Sequence, residues 1–293
     1  MPKAGSKVVL HSEIEPEDLI PINASVLTPD AIVGKSIEKI RKIKLWHGNR
    51  QVPLGKLFRA GFSAGLDMGG PALDIHGPIP TVRRLGENMT RGKIIVHGDV
   101  GMHCGARMKG GLIRVEGNAD HWLGAEMSGG QILVEGSVGD KAASAYLGSK
   151  YGMNGGSLHI KGNAGHELGM GMRRGVIVVE GDTDSFTGTR MLAGTIFVRG
   201  KLGSRAGASM RYKGSIITIG HVTELLPTHV YNGEYQSMLF LRLLFDAIEG
   251  EIAGIKFTEK EREGPYHRFT GDFAAGGQGE LLFLSENNRS LGG

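Results

Sequence analysis

Between the eighties and about residue 220, apolar and polar residues alternate in short bursts, and each burst closes on a glycine. They read KIIVHG, LIRVEG, QILVEG, SLHIKG, VIVVEG, TIFVRG and SIITIG, ending at Gly98, Gly117, Gly136, Gly162, Gly181, Gly200 and Gly220; a degenerate ALDIHG ends at Gly77. Alternation is the period of a strand and not of a helix, so each burst predicts a strand of about five residues. Counted back from the glycine, the fourth position holds Leu73, Ile94, Ile113, Ile132, Leu158, Ile177, Ile196 and Ile216. The second holds Ile75, Val96, Val115, Val134, Ile160, Val179, Val198 and Thr218, so these two columns point inward.

Each burst follows a Gly-x-x-Met phrase, and the closing glycines lie 21, 19, 19, 26, 19, 19 and 20 residues apart. The period is therefore 19, with one seven-residue insertion centred on Gly139–Lys150. Nineteen residues are too few for a strand, a crossover helix and a return, which take about 30. The expected fold is mostly β, a right-handed parallel β-helix of about eight rungs, with Gly98, Gly117, Gly136, Gly162, Gly181 and Gly200 at its turns, where positive φ favours glycine.

Stacked rungs turn repeat positions into columns. Met89, Met108, Met127, Met153, Met172, Met191 and Met210 form one, read as flexible packing at a corner and not as a soft-metal path, because no Cys or His accompanies them. The position before each closing glycine should face solvent and pairs His97 with Glu116, Glu135 with Lys161 and Glu180 with Arg199. The third position back should also face outward, yet it carries Leu133, Val178, Phe197 and Ile217. An outward apolar stripe marks a covered face, and these four residues are the expected interface, beneath either the C-terminal segment or another subunit.

The repeat needs caps at both ends. Residues 1–65 are expected to form an α+β cap, with a short helix from Pro29, a second capped by Ser36, and a strand pair from KIKLWHG and QVPLG. Residues 66–222 form the coil, and 223–293 a C-terminal helix and extended tail. Asn232 is the expected N-cap of that helix, and Met238, Leu241, Leu244, Phe245 and Ile248 share one face. In the tail, HRFTGDFAAGGQGELLFLS predicts two short strands around a glycine-rich loop, wrapping the coil's flank or a neighbour.

Composition narrows the function more by exclusion than by suggestion. Glycine is 49 of 293 residues without a three-residue period, which excludes collagen, and a single Cys104 excludes a disulfide framework and a multi-cysteine metal cluster. The net charge of +4 is spread along the chain, which argues against a nucleic-acid surface. No segment reads as a signal peptide or membrane span, so a cytoplasmic location is expected.

Candidate chemistry is sparse. Cys104 beside His103, with His121 one rung on, is a conceivable Cys-His pair, and His159 and His166 a conceivable metal pair, but the first reads better as corner residues and the second as scattered histidines. Asp99, Asp120, Asp140, Asp182 and Asp184 sit singly at turns, and no glycine run lies between a strand and a helix as a phosphate loop would. No catalytic, cofactor-binding or metal-binding residues are expected in this chain.

The 19-residue phrase resembles the GXGXG domain shared by the C-terminal part of the glutamate synthase large subunit and the C subunit of formylmethanofuran dehydrogenase. PDAIVGKSIEKI and the long rung GSVGDKAASAYLGSKYGMNGG resemble the second, and NADHWLGAEMSGGQI and GMRRGVIVVEGDTDSFTGTRMLAGTI look most like its bacterial branch, the C subunit of the formyltransferase/hydrolase complex. The resemblance covers roughly residues 20–285 and implies a non-catalytic structural subunit in tetrahydromethanopterin- and methanofuran-linked one-carbon metabolism. The implied partners are a formyltransferase subunit, an amidohydrolase-like subunit and a third, dehydrogenase-B-like subunit. The methanofuran-type carrier and a metal would belong to those partners. A glutamate synthase connector-type domain, the C subunit of a true molybdenum or tungsten dehydrogenase, and an independent β-helix enzyme acting around Cys104 and His121 are the alternatives.

Overall fold

The computed structural model describes residues 7–63 and 70–291, and the expected boundary at 65/66 lies outside the described residues. Strands β1 (Lys7–Ser12) and β2 (Ile22–Asn23) precede the short helices α1 (Pro29–Ile32) and α2 (Ile37–Arg41). Ser36 caps α2 by accepting the Lys39 N–H, and Thr28 caps α1 by accepting that of Ala31, with Pro29 at the first helical position. Next come the antiparallel pair β3 (Lys44–His47) and β4 (Arg50–Pro53), then β5 (Phe58–Ser63).

The bursts follow in order as β6 (Ala72–His76), a two-residue β7 (Val82–Arg83), β8 (Lys93–His97), β9 (Leu112–Val115), β10 (Gln131–Val134), β11 (Asn154–Ile160), β12 (Arg174–Val179), β13 (Gly194–Val198) and β14 (Gly214–Thr218). Apart from β7, each pairs in parallel with the next, and the register sets Leu73, Ile94, Ile113, Ile132, Leu158, Ile177, Ile196 and Ile216 in one row. All of these and the second inward column belong to one core, apart from Thr218, which is also buried. The third-position residues Val178, Phe197 and Ile217 belong to a separate cluster on the opposite side of the same strands, as strand alternation requires. A second set of parallel bridges joins Ile79, Val100, Ala119, Val138, Ala164 and Thr183. The methionine column is fully buried in the main core.

The ladder extends beyond the repeat at both ends. β1 adds in parallel to β6, placing Val8 beside Leu73, and β5 pairs antiparallel with β1 at the edge. The smaller sheet, in the order β4-β3-β2-β7, contributes Ile22 and Leu45 to the main core, so the N-terminal strands and the repeat share one apolar interior.

After β14 come β15 (Val230–Tyr235), α3 (Leu239–Glu251), α4 (Glu259–Glu263), β16 (Tyr266–Gly271) and β17 (Gly279–Leu284). β17 joins β14 in parallel, with Leu281 beside Ile216, so the tail supplies a further member of the ladder. β16 and β15 then continue that sheet antiparallel. Asn232 is not a helix cap: it lies within β15, and α3 starts after Met238 without a side-chain cap. The tyrosines and valine of VYNGEY favour an extended chain more strongly than one asparagine favours a helix start.

The turn glycines are required for a different reason from the expected one. Gly98 has φ 139°, but Gly117, Gly136, Gly162, Gly181 and Gly200 do not adopt positive φ. A Cβ on Gly117 would collide with Asp99 Oδ1 and lie 2.6 Å from the Gly98 carbonyl carbon. The glycine is there because the preceding repeat passes too close for a side chain. The space it leaves is used by the residue after the previous closing glycine. Asp99 Oδ1 accepts the Asn118 N–H (2.6 Å), Asn118 Oδ1 that of Ser137 (2.9 Å), Ser137 Oγ that of Asn163 (3.0 Å), Asn163 Oδ1 that of Asp182 (2.9 Å) and Asp182 Oδ1 that of Lys201 (2.7 Å). Asp99 and Asp182, two of the aspartates that read as isolated turn residues, are thus members of a continuous polar ladder.

Candidate functional site

The outward face of the large sheet is divided between a helix and an open cavity. Over β12, β13 and β14 the helix covers it: Leu241, Phe245 and Ile248 of α3 lie on Val178, Phe197 and Ile217, all buried. Phe197 meets Phe245 and Phe257 edge-on, with ring centroids 5.5 and 5.0 Å apart. Of the two coverings left open by the sequence, the C-terminal segment supplies this one. Leu133, the fourth stripe residue, is only half-buried. It lines an apolar cavity of about 200 Å³ with Arg114, Gln131, His159 and Ile252, where α3 ends. On its far side α3 presents Leu239, Phe240 and Leu243 to solvent, at 66%, 42% and 61% exposure. A helix apolar on two sides is suited to being covered twice.

The solvent column carries the expected ion pairs: His97 Nδ1 to Glu116 Oε2 at 2.7 Å, Lys161 Nζ to Glu135 Oε2 at 2.6 Å, and Arg199 Nη1 to Glu180 Oε2 at 3.6 Å. Arg199 Nε also reaches Glu261 Oε1 at 2.9 Å, which ties the ladder to α4.

At the N-terminal end of that column the register aligns His11, His76 and His97 on β1, β6 and β8. Their rings stack at 4.8 and 4.3 Å. Beside them Asp74, whose side chain is 2% exposed, takes the place an outward apolar residue holds elsewhere. Its Oδ1 lies 2.7 Å from His97 Nε2 and its Oδ2 3.4 Å from His76 Nε2, while the Lys7 ammonium pairs with Oδ2. Burial works against the His97 charge, but hydrogen bonds to Glu116 and Asp74 outweigh it and raise its pKa above the ordinary histidine value. Burial likewise opposes the Asp74 charge, and Lys7 and His97 hold its pKa below the usual carboxylate value. The group forms one wall of an open cavity of about 700 Å³ that Arg41, Arg59 and Phe62 also line. His97 is in the solvent column and Asp74 and His76 hold the two outward positions of ALDIHG, but β1, which brings Lys7 and His11, lies outside the repeat.

The Cys-His pair does not form a nucleophile. Cys104 is buried in the apolar core, which pushes its thiol up to about 12, while His121 accepts the Asp140 N–H through Nδ1 at 2.7 Å. His159 and His166 have separate partners, Glu180 at 2.7 Å and Asp184 at 3.1 Å. Elsewhere His103, Trp122 and Tyr146 stack from successive repeats, with His103 Nδ1 2.9 Å from the Tyr146 hydroxyl. Burial, and then Arg84 and Arg83, depress the His103 pKa to about 4.

Residues 112–224 match the family described as the GXGXG motif. The C subunit of the tungsten-containing formylmethanofuran dehydrogenase 2 of Methanococcus maripaludis is 44% identical over 93% of this chain and 95% of its own length. The corresponding protein of Methanothermobacter thermautotrophicus is 36% identical over 101 residues, 34% of this chain and only 37% of that relative. In structure, the chain superposes with a TM-score of 0.82 and 34% identity on a chain of the formyltransferase/hydrolase complex of Methylorubrum extorquens, crystallised with methylofuran. That match covers 94% of this chain and 98% of the other. The chain belongs to the family of formylmethanofuran dehydrogenase C subunits.

Proposed function

We propose that this chain is the non-catalytic structural subunit of a formyltransferase/hydrolase complex, holding the formyltransferase and amidohydrolase-like subunits, with a third dehydrogenase-B-like subunit, in fixed relation. The observation that carries this reading is the correspondence along nearly the whole length with a chain of the Methylorubrum complex. In this reading residues 66–222 wind as a right-handed parallel β-helix, capped by 1–65 and by the helix and tail of 223–293. The ladder of matched isoleucines and Asx side chains makes that coil stiff, and a stiff spacer keeps two sites that share a tethered carrier at high effective concentration. The carrier, a methanofuran-type molecule, and the hydrolase's metal belong to the partners. Val178, Phe197 and Ile217 seat α3, whose outer residues Leu239, Phe240 and Leu243, together with Leu133 at the helix's end, supply apolar surface to a partner.

The test is to purify the isolated chain and the assembly that forms around it, and assay both for formate release from a formylated carrier. The isolated chain is expected to be inactive and the assembly active, without tungsten or molybdenum; activity in the isolated chain would end the reading. The 44% identity to the Methanococcus protein favours a second reading, the C subunit of a tungsten or molybdenum dehydrogenase. Tungsten or molybdenum with iron–sulfur chains in the assembly would establish that one instead.

A further inference from the structure

We propose that Asp74, His76 and His97 bind a divalent first-row transition metal ion, independently of the structural role above. Among the described residues they are the one group of three whose ligand atoms all lie within 4.8 Å of one another. One carboxylate and two imidazoles suit Zn²⁺, and they are held by adjacent strands of a rigid ladder and not by a loop. The carboxylate is buried, its two oxygens facing one histidine Nε2 each. The cavity beside the group leaves room for a further ligand from solvent.

Two further features fit a metal. Glu116 accepts from His97 Nδ1 at 2.7 Å, which fixes the ring so that Nε2 points at Asp74. A carboxylate behind a ligating histidine is the usual support of a metal site, orienting the ring and raising its basicity. The second feature is charge. His97 spans Asp74 and Glu116 through its two ring nitrogens, and the Lys7 ammonium also pairs with Asp74, so two carboxylates share this corner. A divalent ion supplies positive charge to both carboxylates in place of Lys7. The Nε2 proton of His97 leaves to solvent, and the freed nitrogen lone pair binds the ion. Lys7, on a flexible stem and already 24% exposed, swings away still protonated. His76 binds through Nε2 with its proton on Nδ1. No electron is transferred: the ion enters, and any proton on the two binding nitrogens leaves to solvent.

The experiment is calorimetric titration of the full-length chain with zinc chloride in buffers of different ionisation enthalpy. One ion per chain should bind, with protons released to the buffer because imidazole ligands bind the ion unprotonated. His76→Gln, at a half-exposed position that leaves the fold intact, should weaken binding at least ~10-fold, and Glu116→Gln by about 10- to 100-fold. Lys7→Met should tighten it, because the competing cation is gone; His166→Gln, on a distant rung, should leave it unchanged. The proposal is overturned if the chain takes up no Zn²⁺, if His76→Gln binds as the wild type does, or if Lys7→Met binds more weakly.

Discussion

Phe197 offers the sharpest test of how the C-terminal helix is held. Its side chain is fully buried between β13 and α3, with Phe245 and Phe257 edge-on to it. Phe197→Ala removes about 1.5–3 kcal/mol of transfer free energy. It also removes two ring pairs, each of about 0.5–1.5 kcal/mol, and opens a cavity the rigid ladder cannot close. The total expected for such a site is about 3–5 kcal/mol. At about 2 °C per kcal/mol for a chain of this size, the melting temperature should fall by roughly 6–10 °C. The loss should be local: amide hydrogen exchange should accelerate along α3 while the amides of β8, β9 and β10 keep their protection. Phe197→Asp should lose more, because Arg199, whose guanidinium lies 5.8 Å from the ring, is already committed to Glu261 and the Lys256 carbonyl. A melting temperature within about 2 °C of wild type, with α3 protection unchanged, would refute the claim that this ring anchors the helix.

Other outcomes follow from the ladder and its ends. Gly117→Ala should destabilise sharply in denaturant titration, since its Cβ would press on the rung below, whereas Gly250→Ala in α3, with nothing within 4 Å, should stabilise by about 0.5–1 kcal/mol. Asn118→Ala removes the acceptor of the Ser137 N–H and should cost about 1 kcal/mol. The Asp74–His97 pair gives stability two limits in pH. His97, with its folded pKa raised, contributes fully below about 6.5 and loses that contribution as pH rises through the folded value. Asp74, with its folded pKa lowered, contributes above about 3.9 and loses it as pH falls through the folded value. His97→Gln should therefore flatten the alkaline decline in melting temperature. His103 behaves in the opposite sense: folding favours its neutral form, so stability should fall between about pH 6.5 and its folded value of about 4, and His103→Gln should reduce that fall.

Most of the ladder was legible because a constant spacing becomes a constant register: Ile94, Ile113 and Ile132 are neighbours in the sheet for the same reason that they are 19 residues apart. The two added strands were hidden by the loss of that spacing. Val8 and Leu281 each sit beside a residue 65 positions away, with no repeat phrase around them. The inner and outer faces were readable because alternation on a strand fixes side, and so the stripe was visible before its cover. The Asx ladder was missed although its signal was present: Asp, Asn or Ser follows Gly98, Gly117, Gly136, Gly162 and Gly181 in turn. Reading those residues one at a time hid a column that only stacking joins. The Asp74 cluster was out of reach for a related reason, since two of its neighbours, Lys7 and His11, arrive on a strand from outside the repeat.

In the role proposed above, this chain organises an assembly without catalysing its reactions. Native mass spectrometry of the material purified through a tag on this chain tests it most directly. The expected result is a single species in which formyltransferase and amidohydrolase-like chains accompany this one in fixed stoichiometry, and which loses them together when Leu239 and Leu243 are replaced by Asp. A monodisperse monomer that itself transfers or hydrolyses formyl groups would contradict it.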